Sequence, residues 1–203
     1  MLGLGAIFTL FFVTLGPFKL LGPFAQETEE LSPAALRGIA VRAFVVGVVA
    51  VIVGGYLGTV LAAKWNVSTP AIEIATGLIL LLVAIRIVMA PYDPPRSRSP
   101  LPPSPMAATL RLTFPFVVTP YGIAGLIAVL DLAADGKTTA SVYALLIVVM
   151  LLNLLAMLFV REITRGPVLL ILQVLGAVLG VLQFALAIQI IIRGLRDLNV
   201  LPA

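Results

Sequence analysis

The sequence predicts an all-α membrane protein of six transmembrane helices, arranged as two inverted three-helix repeats with broken first and fourth spans. Three observations predict it: the composition, six long apolar stretches, and Gly and Pro residues that recur at one fixed offset. Of 203 residues, 61% are apolar and 11% charged, with a mean hydropathy of +1.18. A soluble domain carries roughly 45–50% apolar and about 25% charged residues, so a surface this apolar belongs in lipid. There is no Cys and no His, which excludes disulfides, thiolate nucleophiles, His-bearing zinc sites and a Ser-His-Asp relay. The net charge of +4 does not point to nucleic acid, because the 13 basic residues are scattered at span ends and form no groove.

A hydrocarbon core about 30 Å thick asks for roughly 20 apolar residues per helix. The first stretch runs from Leu2 to about Phe24. No Lys or Arg precedes it and no small-x-small cleavage site follows, so it reads as a mature span and not a signal peptide. Ser32-Pro33 has the pattern of an N-cap and first helical residue and opens a second span to about Ala63. That helix exceeds the membrane and should tilt or project. Thr69-Pro70 repeats the start signal for a third span to about Ala90.

Residues 91–105 contain seven Pro in fifteen positions, a composition that favours extended polyproline II and forms no helix. This segment is a linker between residues 1–90 and 106–203. The fourth span runs from Met106 to about Ala134, interrupted at Pro115 and Pro120, and Asp135-Gly136 makes a turn. The fifth runs from about Ala140 to Val160, and the sixth, after the Gly166-Pro167 break, to about Ile192. All are helices, because open strands leave backbone groups unpaired in lipid. Lys19, Arg37, Arg42, Arg86, Arg96, Arg98, Arg111, Arg161 and Arg165 fall on one side, against Lys64, Lys137, Arg193 and Arg196 on the other. By the positive-inside rule the first side is cytoplasmic. This predicts a multi-pass protein of the cell (inner) membrane with both termini outside and the linker inside.

Shifted by 103 residues, Phe11 falls on Phe114, Pro17 on Pro120, Gly22 on Gly125, Gly77 on Gly180, and Ala84-Ile85 on Ala187-Ile188. This is a weak repeat signal, and a repeat of three spans must enter the membrane from opposite sides in its two copies. Such inverted repeats are typical of secondary transporters, whose sites lie where corresponding helices are interrupted near the midplane.

The interruptions supply the candidate site. Proline removes one N–H and frees the carbonyl four residues back, and freed groups in lipid must line a cavity or meet a partner. The first break contributes Thr14, Gly16, Pro17, Lys19 and Gly22, and the fourth-span break Thr119, Pro120, Tyr121, Gly122 and Gly125. Freed N–H groups suit a carboxylate, and freed carbonyls suit an ammonium or small cation. Lys19 can hold a carboxylate or snorkel to the cytoplasmic interface, and we expect the snorkelling. Glu73 should serve the helix dipole of its span, Asn153 should bond between helices, one of Gln173, Gln183 and Gln189 could reach a cavity, and Glu27, Glu29 and Glu30 should be a solvated acidic loop. The GxxxG spacing of Gly54 and Gly58 suits close packing within the chain. No phosphate loop, paired catalytic carboxylates or metal-ligand spacing occurs, so no enzyme, resident cofactor or metal is expected.

Several segments resemble the MarC family of six-span membrane proteins, also described as neutral amino acid transporters. Pro17, Phe24 and Leu31-Ser32-Pro33 are similar to the family's first-span proline segment and its LSP helix start. Ala71-Ile72-Glu73-Ile74-Ala75-Thr76-Gly77, ending in Ala84-Ile85-Arg86, resembles the third-span signature. Pro115-x4-Pro120 with Gly122-Ile123 resembles the P-x4-P-G motif of the fourth span, and Gly176, Ala187-Ile188-Gln189 and Gly194 the C-terminal signature. The chain departs from the family's NPxGNxP pattern: Gly16 and Leu20 stand where Asn is usual, Lys19 replaces Gly, and Pro23 is shifted by one. Thr119 and Tyr121 replace small Gly residues. The resemblance implies transport of small amino acids, while the bulkier, charged lining would also suit an anionic or larger solute.

The function expected is therefore a secondary transporter of a small polar solute, an amino acid first, working by alternating access at the paired breaks. Na+ or H+ is the candidate coupling ion. The bilayer and the solute are the expected partners, and a homo-oligomer is compatible with the sequence. The alternative is a non-transporting membrane scaffold or assembly protein.

Overall fold

The computed structural model describes residues 3–89, 104–133, 136–164 and 167–201. Among them all regular structure is helical. The linker up to residue 103, the Asp135 turn residue, Gly166, Arg96, Arg98 and Arg165 lie outside the described residues. In chain order the helices are α1 (Leu4–Leu15), α2 (Pro17–Thr28), α3 (Pro33–Lys64), α4 (Thr69–Met89) and α5 (Pro105–Leu112), then a π-helical turn (Thr113–Val117), α6 (Pro120–Asp131), α7 (Gly136–Leu158), α8 (Val160–Ile163) and α9 (Pro167–Asp197).

Among the described residues, four helical stretches are long and apolar enough to cross a membrane: Leu4–Thr28, Pro33–Lys64, Gly136–Leu158 and Val178–Asp197. Thr69–Ile85 and Pro120–Asp131 are shorter apolar helices. The Ser32-Pro33 start holds, while α4 begins at Thr69, one residue ahead of the expected first helical position Pro70. Ser32 Oγ accepts from the Ala35 amide at 3.2 Å, the cap that Ser-Pro predicts. Other boundaries move. The fifth span covers 136–158, four residues earlier than expected at its start, and the sixth runs on to Asp197 past Ile192. Apolar length counts only the hydrocarbon portion, and a helix continues through the polar interface without it.

The packing sorts apolar residues into a lipid face and a core. On α3, Val41, Val45, Val49, Val53 and Leu57 are exposed, a stripe at four-residue spacing along one side. The opposite side carries Gly47, Val51 and Gly55, which are buried. There α3 lies against α6: a Cβ on Gly55 would fall 2.6 Å from Leu126 Cδ2, and one on Gly58 2.2 Å from Ile127 Cδ1. Small residues let backbones approach closely where lipid offers no hydrophobic drive.

Helices α4 and α9 form the most extensive pair. A Cβ on Gly77 would lie 2.9 Å from the Ala187 carbonyl oxygen, and one on Gly194 2.9 Å from that of Pro70. Gly77, Leu80 and Ala84 are buried on α4, and Gly180, Gln183 and Ala187 on α9. Gln183 Nε2 donates to the Leu80 carbonyl at 3.4 Å, the interhelical role expected of a mid-span amide.

Candidate functional site

Both interrupted segments break in the same way. Gly16 is extended (φ −77°, ψ 174°) and Pro17 opens α2. Thr119 is extended (φ −106°, ψ 140°) and Pro120 opens α6. Residues before proline are pushed out of the α region, and proline suits the first helical position. Each second half-helix has 12 residues. A Cβ on Gly16 would lie 1.9 Å from the Phe12 carbonyl oxygen, so only glycine fits this turn. The fourth span also yields at Pro115, but by the π-helical turn, closed by the Val118 amide on the Thr113 carbonyl at 2.9 Å. The widened turn accommodates a residue that lacks an N–H.

The two breaks meet, and the carbonyls exposed at the first are taken up by side chains of α2, α7 and the second break. Thr119 Oγ1 caps α6 by accepting from the Gly122 amide at 3.1 Å and donates to the Thr14 carbonyl at 3.1 Å. Lys19 Nζ donates to the same carbonyl and to the Tyr121 hydroxyl at 2.7 Å, lying 4.1 Å from the Tyr121 ring centroid. Asn153 Nδ2, from the middle of α7, donates to the Leu15 carbonyl at 2.6 Å. Thr14, Thr119 and Asn153 are buried. Asn153 Oδ1 is buried and accepts no hydrogen bond from the described residues.

Of the residues expected at the site, Thr14, Gly16, Lys19, Thr119, Tyr121 and Gly122 share this cluster, with Pro17 and Pro120 starting the half-helices behind it. Gly122 packs on Leu15, where a Cβ would fall 2.2 Å from Cδ2, and Gly125 sits over Leu10 at van der Waals distance. Gly22 is exposed, with nothing within 4 Å of a Cβ placed on it, and lies outside the cluster. Lys19 does not snorkel: a carbonyl freed by the break and the phenol of Tyr121 draw its ammonium inward, a contact across 102 residues that one span cannot announce. Asn153 belongs to the cluster although the sequence places it only between helices. Its signal was an amide at mid-span, where lipid offers no partner.

Two other polar groupings differ from expectation. Glu73 is nearly fully buried and lies 3.1 Å from Arg193 Nε. It sits beyond the first turn of α4 and faces α9, so it does not merely complement a helix end. Glu27 pairs with Arg111 at 3.3 Å, whereas a solvated loop was expected. Arg161 donates to the carbonyls of Leu31 and Thr28 at the end of α2, where a cation complements the helix dipole. Among the described residues no group of His, Cys, Asp and Glu could hold a metal ion.

The model of the MarC family integral membrane protein matches residues 3–199. No curated protein and no solved structure matches the chain. The match spans nearly the whole sequence, and the chain belongs to the MarC family of integral membrane proteins.

Proposed function

We propose that this MarC family protein is a secondary transporter of a small polar solute, an amino acid first, moving it by alternating access at the meeting point of the two breaks. One observation carries the reading: two interrupted segments come together around carbonyls, hydroxyls, an ammonium and an amide whose Oδ1 has no donor among the described residues. An amide held ready inside a bundle is costly unless a partner visits it, since an unmet buried group costs about 1–3 kcal/mol. A solute ammonium would answer Asn153 Oδ1, and a solute carboxylate would answer Lys19.

The inverted repeat is part of the same proposal. The offset of 103 pairs Gly16-Pro17 with Thr119-Pro120 and α2 with α6. It also pairs the buried stripe Gly77, Leu80 and Ala84 with Gly180, Gln183 and Ala187. A pseudo-two-fold in the membrane plane would pass close to Leu80 and Gln183, which touch each other. We place both termini outside and the linker inside, following the distribution of Lys and Arg. Na+ or H+ is the coupling ion to test first.

The test is counterflow of labelled neutral amino acids in proteoliposomes under Na+ and H+ gradients. Lys19→Met keeps the aliphatic stem and removes a charge-assisted hydrogen bond of about 1.5–3 kcal/mol, so uptake should fall about tenfold or more. Tyr121→Phe should give a smaller loss. Wild-type protein that moves no amino acid under any gradient would leave the scaffold reading in place.

A further inference from the structure

A second polar site lies one layer away from the breaks, beyond the Leu10–Gly125 and Leu15–Gly122 contacts. A cavity of about 130 Å³ opens there between α1, α4, α6 and α9, walled by aliphatic side chains such as Leu10, Val129 and Leu186, with Glu73, Gln189 and Arg193 on its lining. The Glu73 side chain is about 2% exposed. Arg193 stands beside it at 3.1 Å, yet among the described residues neither carboxylate oxygen of Glu73 accepts a well-aligned hydrogen bond. Asp131, at the end of α6, and Asp197, at the end of α9, also act on Glu73, and Asp131 Oδ2 is a further buried acceptor without a donor. Two further carboxylates thus act on Glu73 against the single guanidinium of Arg193, and Asp197 is close enough to share a hydrogen bond with the Glu73 carboxyl.

We infer that this cavity binds a small aliphatic compound carrying a primary ammonium group, zwitterionic amino acids included, with the ammonium on Glu73. An ammonium brings three donors to acceptors that have none and offsets the local negative charge. The aliphatic body fills the apolar walls. If the compound is zwitterionic, its carboxylate meets the Arg193 guanidinium, a donor fork suited to carboxylates. As an antechamber to the breaks this site rests on the transport reading; as a binding site it stands on its own geometry.

The experiment is thermal unfolding of the purified full chain in detergent, titrated with isobutylamine, L-valine, isobutyrate, NaCl and KCl. A ligand of the folded state raises the midpoint in a concentration-dependent way. Isobutylamine and L-valine should raise it, and isobutyrate and the salts should not. Glu73→Gln should abolish the shift. Ala128→Leu, which fills the cavity and leaves the Glu73–Arg193 pair in place, should abolish it too and serves if Glu73→Gln does not fold. An equal response to isobutyrate or to either salt, a shift that survives both substitutions, or no response to either amine would each overturn the inference. Midpoint shifts without uptake would sink the transport reading and leave this site standing.

Discussion

Thr119 does two jobs with one hydroxyl. It accepts from the Gly122 amide and so starts α6, and it donates to the Thr14 carbonyl and so ties the two breaks together. An N-cap alone contributes about 0.5–2 kcal/mol, and the buried carbonyl left without this donor adds to the loss. Thr119→Ala should therefore lower the unfolding midpoint by the equivalent of about 1–3 kcal/mol, while Thr119→Ser should recover most of it. Denaturation of both variants in detergent checks this, and equal losses in the two would show that the methyl group, not the hydroxyl, carries the effect. At this scale the sequence was legible in residue type and blind to partners. Gly16, Pro17, Thr119 and Pro120 announce their breaks through backbone rules. That Lys19 would reach Tyr121, or Glu73 reach Arg193, depends on which helices lie side by side, and no local pattern carries that.

Among the elements, the most legible were those with a start signal. Ser32-Pro33 begins α3 where it should, and the breaks fall at Gly16 and Thr119. Helix ends were less so, because apolar periodicity stops at the hydrocarbon edge while backbone hydrogen bonding continues, as in α9. Glycines that share one helical landscape also differ in consequence, and only packing separates them. Gly77→Val would push side-chain atoms into the Ala187 carbonyl and Ile191 of α9 and should cost about 1–3 kcal/mol by overpacking. Gly22→Ala meets nothing within 4 Å and should be neutral or stabilise by about 0.5–1 kcal/mol through helix propensity. Parallel melting curves decide between them, and matched midpoints for the two variants would deny the α4–α9 seam its tight fit.

For the whole molecule, the apolar composition and the family match agree on a multi-pass membrane protein, and orientation is the next property to measure. Because the chain has no Cys, single cysteines report on sidedness without background. Val200→Cys, beyond the end of α9, should react with a membrane-impermeant maleimide added to intact expressing cells, and Ser99→Cys in the Pro-rich segment should react only after lysis. The reverse pattern would invert the proposed topology. In the transport reading proposed above, the seam between α4 and α9 would set how the molecule moves. Where glycine lets one backbone touch the next with no side chain between them, two rods can roll about their line of contact far more easily than they can separate. In that reading such a line would be an axle: displacement would stay small along it and grow with distance, reaching α3 and α7 on the far side of α1 and α6.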